Sequence, residues 1–173
     1  MDSRLPKLVF ALLVLYAAVH FSSVYPQLPA VVASHFDGRG VPNGWQTKQA
    51  FFTVLVAMTA LCVLIGFGLA RLIGAMPIQL INLPNKRYWL APEHRDDTLN
   101  WLKAYFGWFA CGIYVVMIVA YDYAAQSNLH PDHPPGVARL CYTFGGFLTF
   151  VIAWLVQIFV RFRSLPGSHS FQK

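Results

Sequence analysis

Four long apolar runs, at about residues 8–24, 51–73, 102–123 and 137–160, leave this chain few folds to choose from. A helix crossing the hydrocarbon of a bilayer needs about 20 predominantly apolar residues, and runs of this length with few charges are its usual signal. Such a segment must close its backbone hydrogen bonds within itself, and the runs lack the alternation of a barrel strand, so each is expected to be a helix. Composition agrees, with 57% hydrophobic residues, 12% charged residues and a mean hydropathy of +0.49, which is too apolar for an ordinary soluble domain. The expected fold is an all-α membrane protein: one membrane domain over residues 1–173, with four transmembrane helices, outer loops at 25–50 and 124–136, and an inner connection at 74–101.

The formal charge of +6 raises nucleic acid as a partner, and the placement of the basic residues argues against it. Arg4 and Lys7 precede the first run, Arg71, Lys86, Arg87, Arg95 and Lys103 surround the second connection, and Arg161, Arg163 and Lys173 follow the fourth. Only Arg39, Lys48 and Arg139 lie elsewhere. The excess of Lys and Arg on cytoplasmic loops then puts both termini and the middle connection in the cytoplasm. The first run has a basic start but a poor small-x-small cleavage pattern, so it reads as a retained anchor. Cys62, Cys111 and Cys141 fall inside expected helices without paired spacing and read as buried free thiols.

Between the first two runs, Tyr25 to Lys48 gathers prolines, glycines and potentially reactive side chains. Tyr25-Pro26 and Leu28-Pro29 stop the first helix, and Ala30 to His35 fits either a short helix or a strand. Gly38, Gly40 and Gly44 open conformations that other residues resist, while Val31, Val32, Phe36, Val41 and Trp45 supply apolar anchors. An ordered outer loop is therefore expected. Its candidate binding residues are His35, Asp37, Gly40, Pro42, Trp45 and Lys48.

Leu28-Pro29, His35-Phe36, Gly40-x-Pro42, Gly44-Trp45 and Lys48, set between two apolar runs, resemble the signature of the SdpI-like superfamily, and more narrowly its small N-terminal membrane module of unknown function. The resemblance covers about the first third of the chain. It implies a bacterial multi-pass inner-membrane protein, and its best-known member is an immunity and signalling protein against a secreted peptide toxin. About four helices, rather than more, is a departure from that larger relative.

The inner connection holds a second group, Asn85, Lys86, Trp89, Glu93 and Arg95, in which Lys86, Arg87, Tyr88 and Trp89 read as interfacial anchors. Met76 to Leu83 is expected to lie along the headgroups, and Asp96 or Asp97 to cap the third helix. Gly66 and Gly68 in the second helix, and Gly145 and Gly146 in the fourth, are expected to permit close helix packing.

Topology divides the reactive side chains by about 30 Å of hydrocarbon. His35, Asp37, Asp122, His130, Asp132 and His133 share the outer side with His20, which lies one turn inside the first helix on the same face as Tyr16. Imidazole and carboxylate suit zinc or copper, and the sharpest such site joins His35 with His130 or His133. His35 with Asp37 also has the makings of a general base and its orienter, although no nucleophile accompanies them. The favoured expectation is non-enzymatic: the outer loop binds a ligand or partner, and the protein acts as an accessory subunit of a membrane complex, as a homo-oligomer or as a receptor. Toxin immunity and a metal-dependent membrane enzyme stand as alternatives.

Overall fold

The structure, a computed structural model, describes residues 2–163. The polar tail and Lys173, assigned above to the cytoplasmic side, lie outside the described residues. Four helices are long and apolar enough to cross a membrane, consistent with a multi-pass membrane protein. They are α1 (Arg4–Val24), α2 (Lys48–Ala75), α3 (Pro92–Leu129) and α4 (Ala138–Arg163).

Each helix except α4 begins well before its apolar run, because hydropathy marks the lipid-soluble part of a helix and not its ends. Helix α2 starts at Lys48 because the Thr47 side chain accepts the Ala50 N–H at 3.2 Å and so caps the first turn. Helix α3 is the largest departure from expectation, running 38 residues and absorbing parts of the expected inner connection and second outer loop. Neither Asp96 nor Asp97 caps it; Ala91 is the cap residue and Pro92 opens the first turn, where a proline lacks only an N–H that would have no partner.

The all-α expectation fails between α1 and α2. A 3₁₀ turn at Tyr25–Gln27 is followed by an antiparallel hairpin of β1 (Val31–Phe36) and β2 (Pro42–Thr47). At the other end of the bundle, a 3₁₀ turn at Ile78–Leu80 and a one-turn helix at Lys86–Trp89 connect α2 to α3.

Helix α3 is the mast of the bundle, with α1, α2, α4 and β1 all packed on it. Its middle carries the main core, in which Phe10 and Phe21 of α1, Leu55 and Cys62 of α2, and Ala110, Tyr114 and Ile118 of α3 are buried together. Close approach of α2 and α3 depends on Gly66, which sits in a π-helical turn at Leu64–Gly68; a Cβ there would lie 2.4 Å from the Ala110 Cβ.

Helix α4 packs chiefly along α3. The Tyr105 and Trp154 rings stack at 4.2 Å, the Trp154 indole donates to the Tyr105 carbonyl at 3.2 Å, and the Tyr105 hydroxyl donates to the Trp154 carbonyl. The rest of α4 is open: Tyr142 is 80% exposed, Cys141 is exposed where a buried thiol was expected, and nothing lies within 4 Å of where Gly145 or Gly146 would carry a Cβ. The two α4 glycines therefore meet no neighbour among the described residues.

Alanine is about 1 kcal/mol better than glycine in a helix, so a loss of stability in Gly66→Ala measures the clash with Ala110. The single variant is expected to unfold at lower temperature than the parent in detergent, and the Gly66→Ala/Ala110→Gly exchange to recover most of the loss.

Candidate functional site

The hairpin is shaped by its own side chains. Asp37 organises the turn: its Oδ1 accepts from the Arg39 N–H at 2.8 Å and the Val41 N–H at 2.9 Å, while Gly40 N–H donates to the Asp37 carbonyl at 2.9 Å. Those backbone donors, Val41 first and Arg39 next, hold the Asp37 carboxyl below its ordinary value of 3.8. Gly40 has φ +81° and lies so close to the bundle that a Cβ would fall 2.6 Å from the Tyr123 hydroxyl. Across the strands, His35 pairs with Gly44, where a Cβ would lie 3.0 Å from the His35 Cβ. The signature glycines thus fix a turn against α3 and clear space for a histidine ring.

Three contacts pin this hairpin to the helices. Asn128 of α3 serves the open edge of β1 like a strand, its Oδ1 accepting the Ala33 N–H at 2.8 Å and its Nδ2 donating to the Ala33 carbonyl at 2.9 Å. Lys48 Nζ donates to the Leu28 carbonyl at 3.2 Å and the Tyr25 carbonyl at 3.5 Å, and lies 4.8 Å from the centroid of the Tyr25 ring. Inward, Val32 and Leu28 pack on Ala124 and Phe51, and Phe36 meets Tyr123 edge to face at 5.3 Å.

The expected binding residues therefore fall into two sets. Asp37, Gly40 and Lys48 are committed to holding the hairpin, whereas His35, Pro42 and Trp45 are exposed. Trp45 is 62% exposed, Val31 and Val41 are exposed beside it, and the Arg39 side chain at the tip is 87% exposed. The His35–Asp37 base and orienter do not form, because the Asp37 carboxylate is turned to backbone N–H groups and to Arg39, 3.5 Å away. Among the described residues, no group of three or more His, Cys, Asp or Glu is placed to hold a metal ion, so His35, His130 and His133 do not form the expected zinc or copper site.

The polar centre that sequence reasoning left unassembled lies at the same end. Asp122 of α3, largely buried, accepts from His20 Nε2 at 2.9 Å through Oδ1 and from Arg139 of α4 at 2.8 Å through Oδ2. One carboxylate thereby joins α1, α3 and α4. His20 stacks on Tyr16 at 5.7 Å, as their spacing of one turn predicts, and Arg139 is half exposed. A cation in the first turn of a helix opposes the helix dipole, and Asp122 offsets that cost.

At the opposite end, four of the five residues of the second expected group, Asn85, Lys86, Trp89 and Arg95, bond backbone carbonyls near the ends of helices or of the 3₁₀ turn. Asn85, in the left-handed region at φ 51°, donates to the Phe162 and Arg163 carbonyls at 3.0 and 2.9 Å, and the Trp89 indole reaches Phe162 O at 3.2 Å. Lys86 Nζ serves the Gln79 and Ile81 carbonyls, and Arg95 serves Gly74 at the end of α2. Glu93 is exposed in the first turn of α3, where a negative charge suits the dipole.

Residues 8–60 match the family described as Domain of unknown function (DUF1648), a stretch that takes in most of α1, the whole hairpin and the start of α2. That agrees with the small module of unknown function expected from the motif. No curated protein and no solved structure matches the chain.

Two outcomes test this geometry. A carboxyl whose folded pKa is depressed contributes stability above its unfolded pKa and loses it as pH falls through the folded value. Protection of the Arg39 and Val41 amides from hydrogen exchange is therefore expected to hold at neutral pH and to collapse only below the ordinary 3.8 of the Asp37 carboxyl, while Asp37→Asn shows a flat profile. Removing the shared carboxylate with Asp122→Ala is expected to cost about 1–3 kcal/mol, less than a fully buried pair because both partners, His20 and Arg139, reach solvent. Thermal unfolding should show it exceeding His20→Ala, which leaves the Arg139 contact in place.

Proposed function

We propose that the protein is a non-enzymatic multi-pass protein of a bacterial inner membrane, with both termini cytoplasmic, whose hairpin docks an extracytoplasmic ligand or a partner subunit at the outer surface. One observation carries this reading: the hairpin is pinned at Asn128, Lys48 and Gly40, yet His35, Arg39, Val31, Val41 and Trp45 take no part in the pinning and stay exposed. A rigid scaffold presenting an unspent aromatic, a cation and aliphatic side chains costs little to order on binding and suits a recognition surface. The basic residues around the second connection support the orientation, and the SdpI-like resemblance of the same motif supports the bacterial inner membrane. The open face of α4 adds room for a second subunit or a second copy.

Orientation and docking are tested separately. A single cysteine at Gly38, which has open space around it, introduced into a cysteine-free background, is expected to react with a membrane-impermeant maleimide from outside intact cells. Labelling only after lysis would overturn the orientation. A photo-crosslinker at position 45 is expected to give one defined adduct in cells, lost when Asn128→Ala unpins the hairpin; the absence of any adduct at positions 41 and 45 would overturn the docking role.

A further inference from the structure

At the end opposite the hairpin, three helices bring one cation each to a single small cavity. Lys7 of α1, Arg71 of α2 and Lys103 of α3 line a space of about 120 Å³ together with Ser3 and Phe67. The acidic groups that would ordinarily balance such a cluster are missing from it. Among the described residues no Asp or Glu oxygen lies within 4.0 Å of any of the three cations, the carboxylates that do form ion pairs being Asp37 and Asp122 at the hairpin end. Asp2, adjacent in sequence to Ser3, is turned to the Arg4 N–H at 2.8 Å, and Lys103 has only the neutral Asn100 Oδ1 at 3.0 Å.

Lys7 and Arg71 reach solvent and Lys103 is half-buried, and two further features shape the cavity that they line. The cavity opens at the start of α1, where Ser3 makes no side-chain cap bond and the Asp2 carboxylate takes the Arg4 N–H, so the Asp2 charge is directed to the helix end and not to the three cations. Phe67 belongs to the π-helical turn of α2, and the extra residue in that turn rotates Arg71 by about 100° relative to a regular helix. The Phe67 ring also closes on Gly107 of α3, where a Cβ would lie 3.1 Å from it, so the floor of the cavity is fixed by packing. At about 120 Å³ the space is well above the ~10–15 Å³ that one water requires, and it has room for a small oxyanion.

We propose that this cavity is a binding site for a phosphate group. The chemistry has two sources, the headgroup of an anionic phospholipid in the adjacent leaflet and free phosphate in solution, and basic pockets between spanning helices suit the first. The site is independent of the hairpin and of what docks there.

The protein is reconstituted in nanodiscs of phosphatidylcholine containing phosphatidylglycerol, released into mild detergent and weighed intact. Retention of one phosphatidylglycerol per chain, preferred over phosphatidylcholine by about tenfold and abolished in Lys7→Gln/Arg71→Gln/Lys103→Gln, assigns the site to a lipid headgroup. No lipid preference, together with a thermal stabilisation by inorganic phosphate over chloride of equal ionic strength that the triple variant lacks, assigns it to free phosphate. The charge-keeping Lys7→Arg/Lys103→Arg variant should retain either effect, and if the triple variant fails to fold, Lys103→Gln alone should weaken it. Neither effect in the parent, or an effect unchanged in the charge-removing variants, overturns the proposal.

Discussion

A backbone N–H or C=O without a partner is expensive wherever water is scarce, and several polar side chains of this protein are placed to remove that expense. Asn128 closes the open edge of β1, and Lys48 takes the carbonyls left over where α1 ends. Asn85 and Trp89 take the last carbonyls of α4, Lys86 those of the 3₁₀ turn, and Arg95 that of Gly74. In the motif rich in reactive residue types, at His35, Asp37 and Lys48, two of the three are structural members of the turn and its base.

The same constraint explains what could be read from the sequence. The four helices were legible because about 20 apolar residues in a row have few other uses, and the Tyr16–His20 contact was legible because helical spacing alone creates it. Helix ends were not, since α3 gains its first and last turns from polar residues that look like loop, with Pro92 setting the start. The strands of the hairpin are six residues each; β1 does not alternate and β2 opens with Pro42, Asn43 and Gly44, and the contacts that hold β1 come from Asn128 and Tyr123 of α3, far along the chain. His20 and Asp122 were grouped correctly on one side, but 102 residues separate them and nothing local announces the bond. Asn128 carried no signal beyond being polar.

The division between packing and polar contacts is clearest in α4. Helices α1 and α2 share a buried core with α3 and are held by interdigitated side chains. Helix α4 meets chiefly one neighbour, and a helix on one neighbour buries too little to fix its register by packing alone. It is located instead at three heights: Arg139 on Asp122 near its start, Trp154 against Tyr105 midway, and the Phe162 and Arg163 carbonyls on Asn85 at its end. Between those points its outer face is exposed among the described residues.

The two ends of the bundle then differ in what they leave unspent. At the hairpin end the charges are internally balanced, with Asp122 shared between His20 and Arg139 and Asp37 beside Arg39, so what faces outward is mainly an aromatic and aliphatic surface around Trp45. At the other end the acids lie apart from the cations, and Lys7, Arg71 and Lys103 converge without one. A cluster of like charges with no acid of its own raises the free energy of the fold unless an anion from outside completes it. The fold therefore leaves two kinds of surface for its surroundings: an apolar rim on a pinned hairpin, and a cationic cavity between α1, α2 and α3.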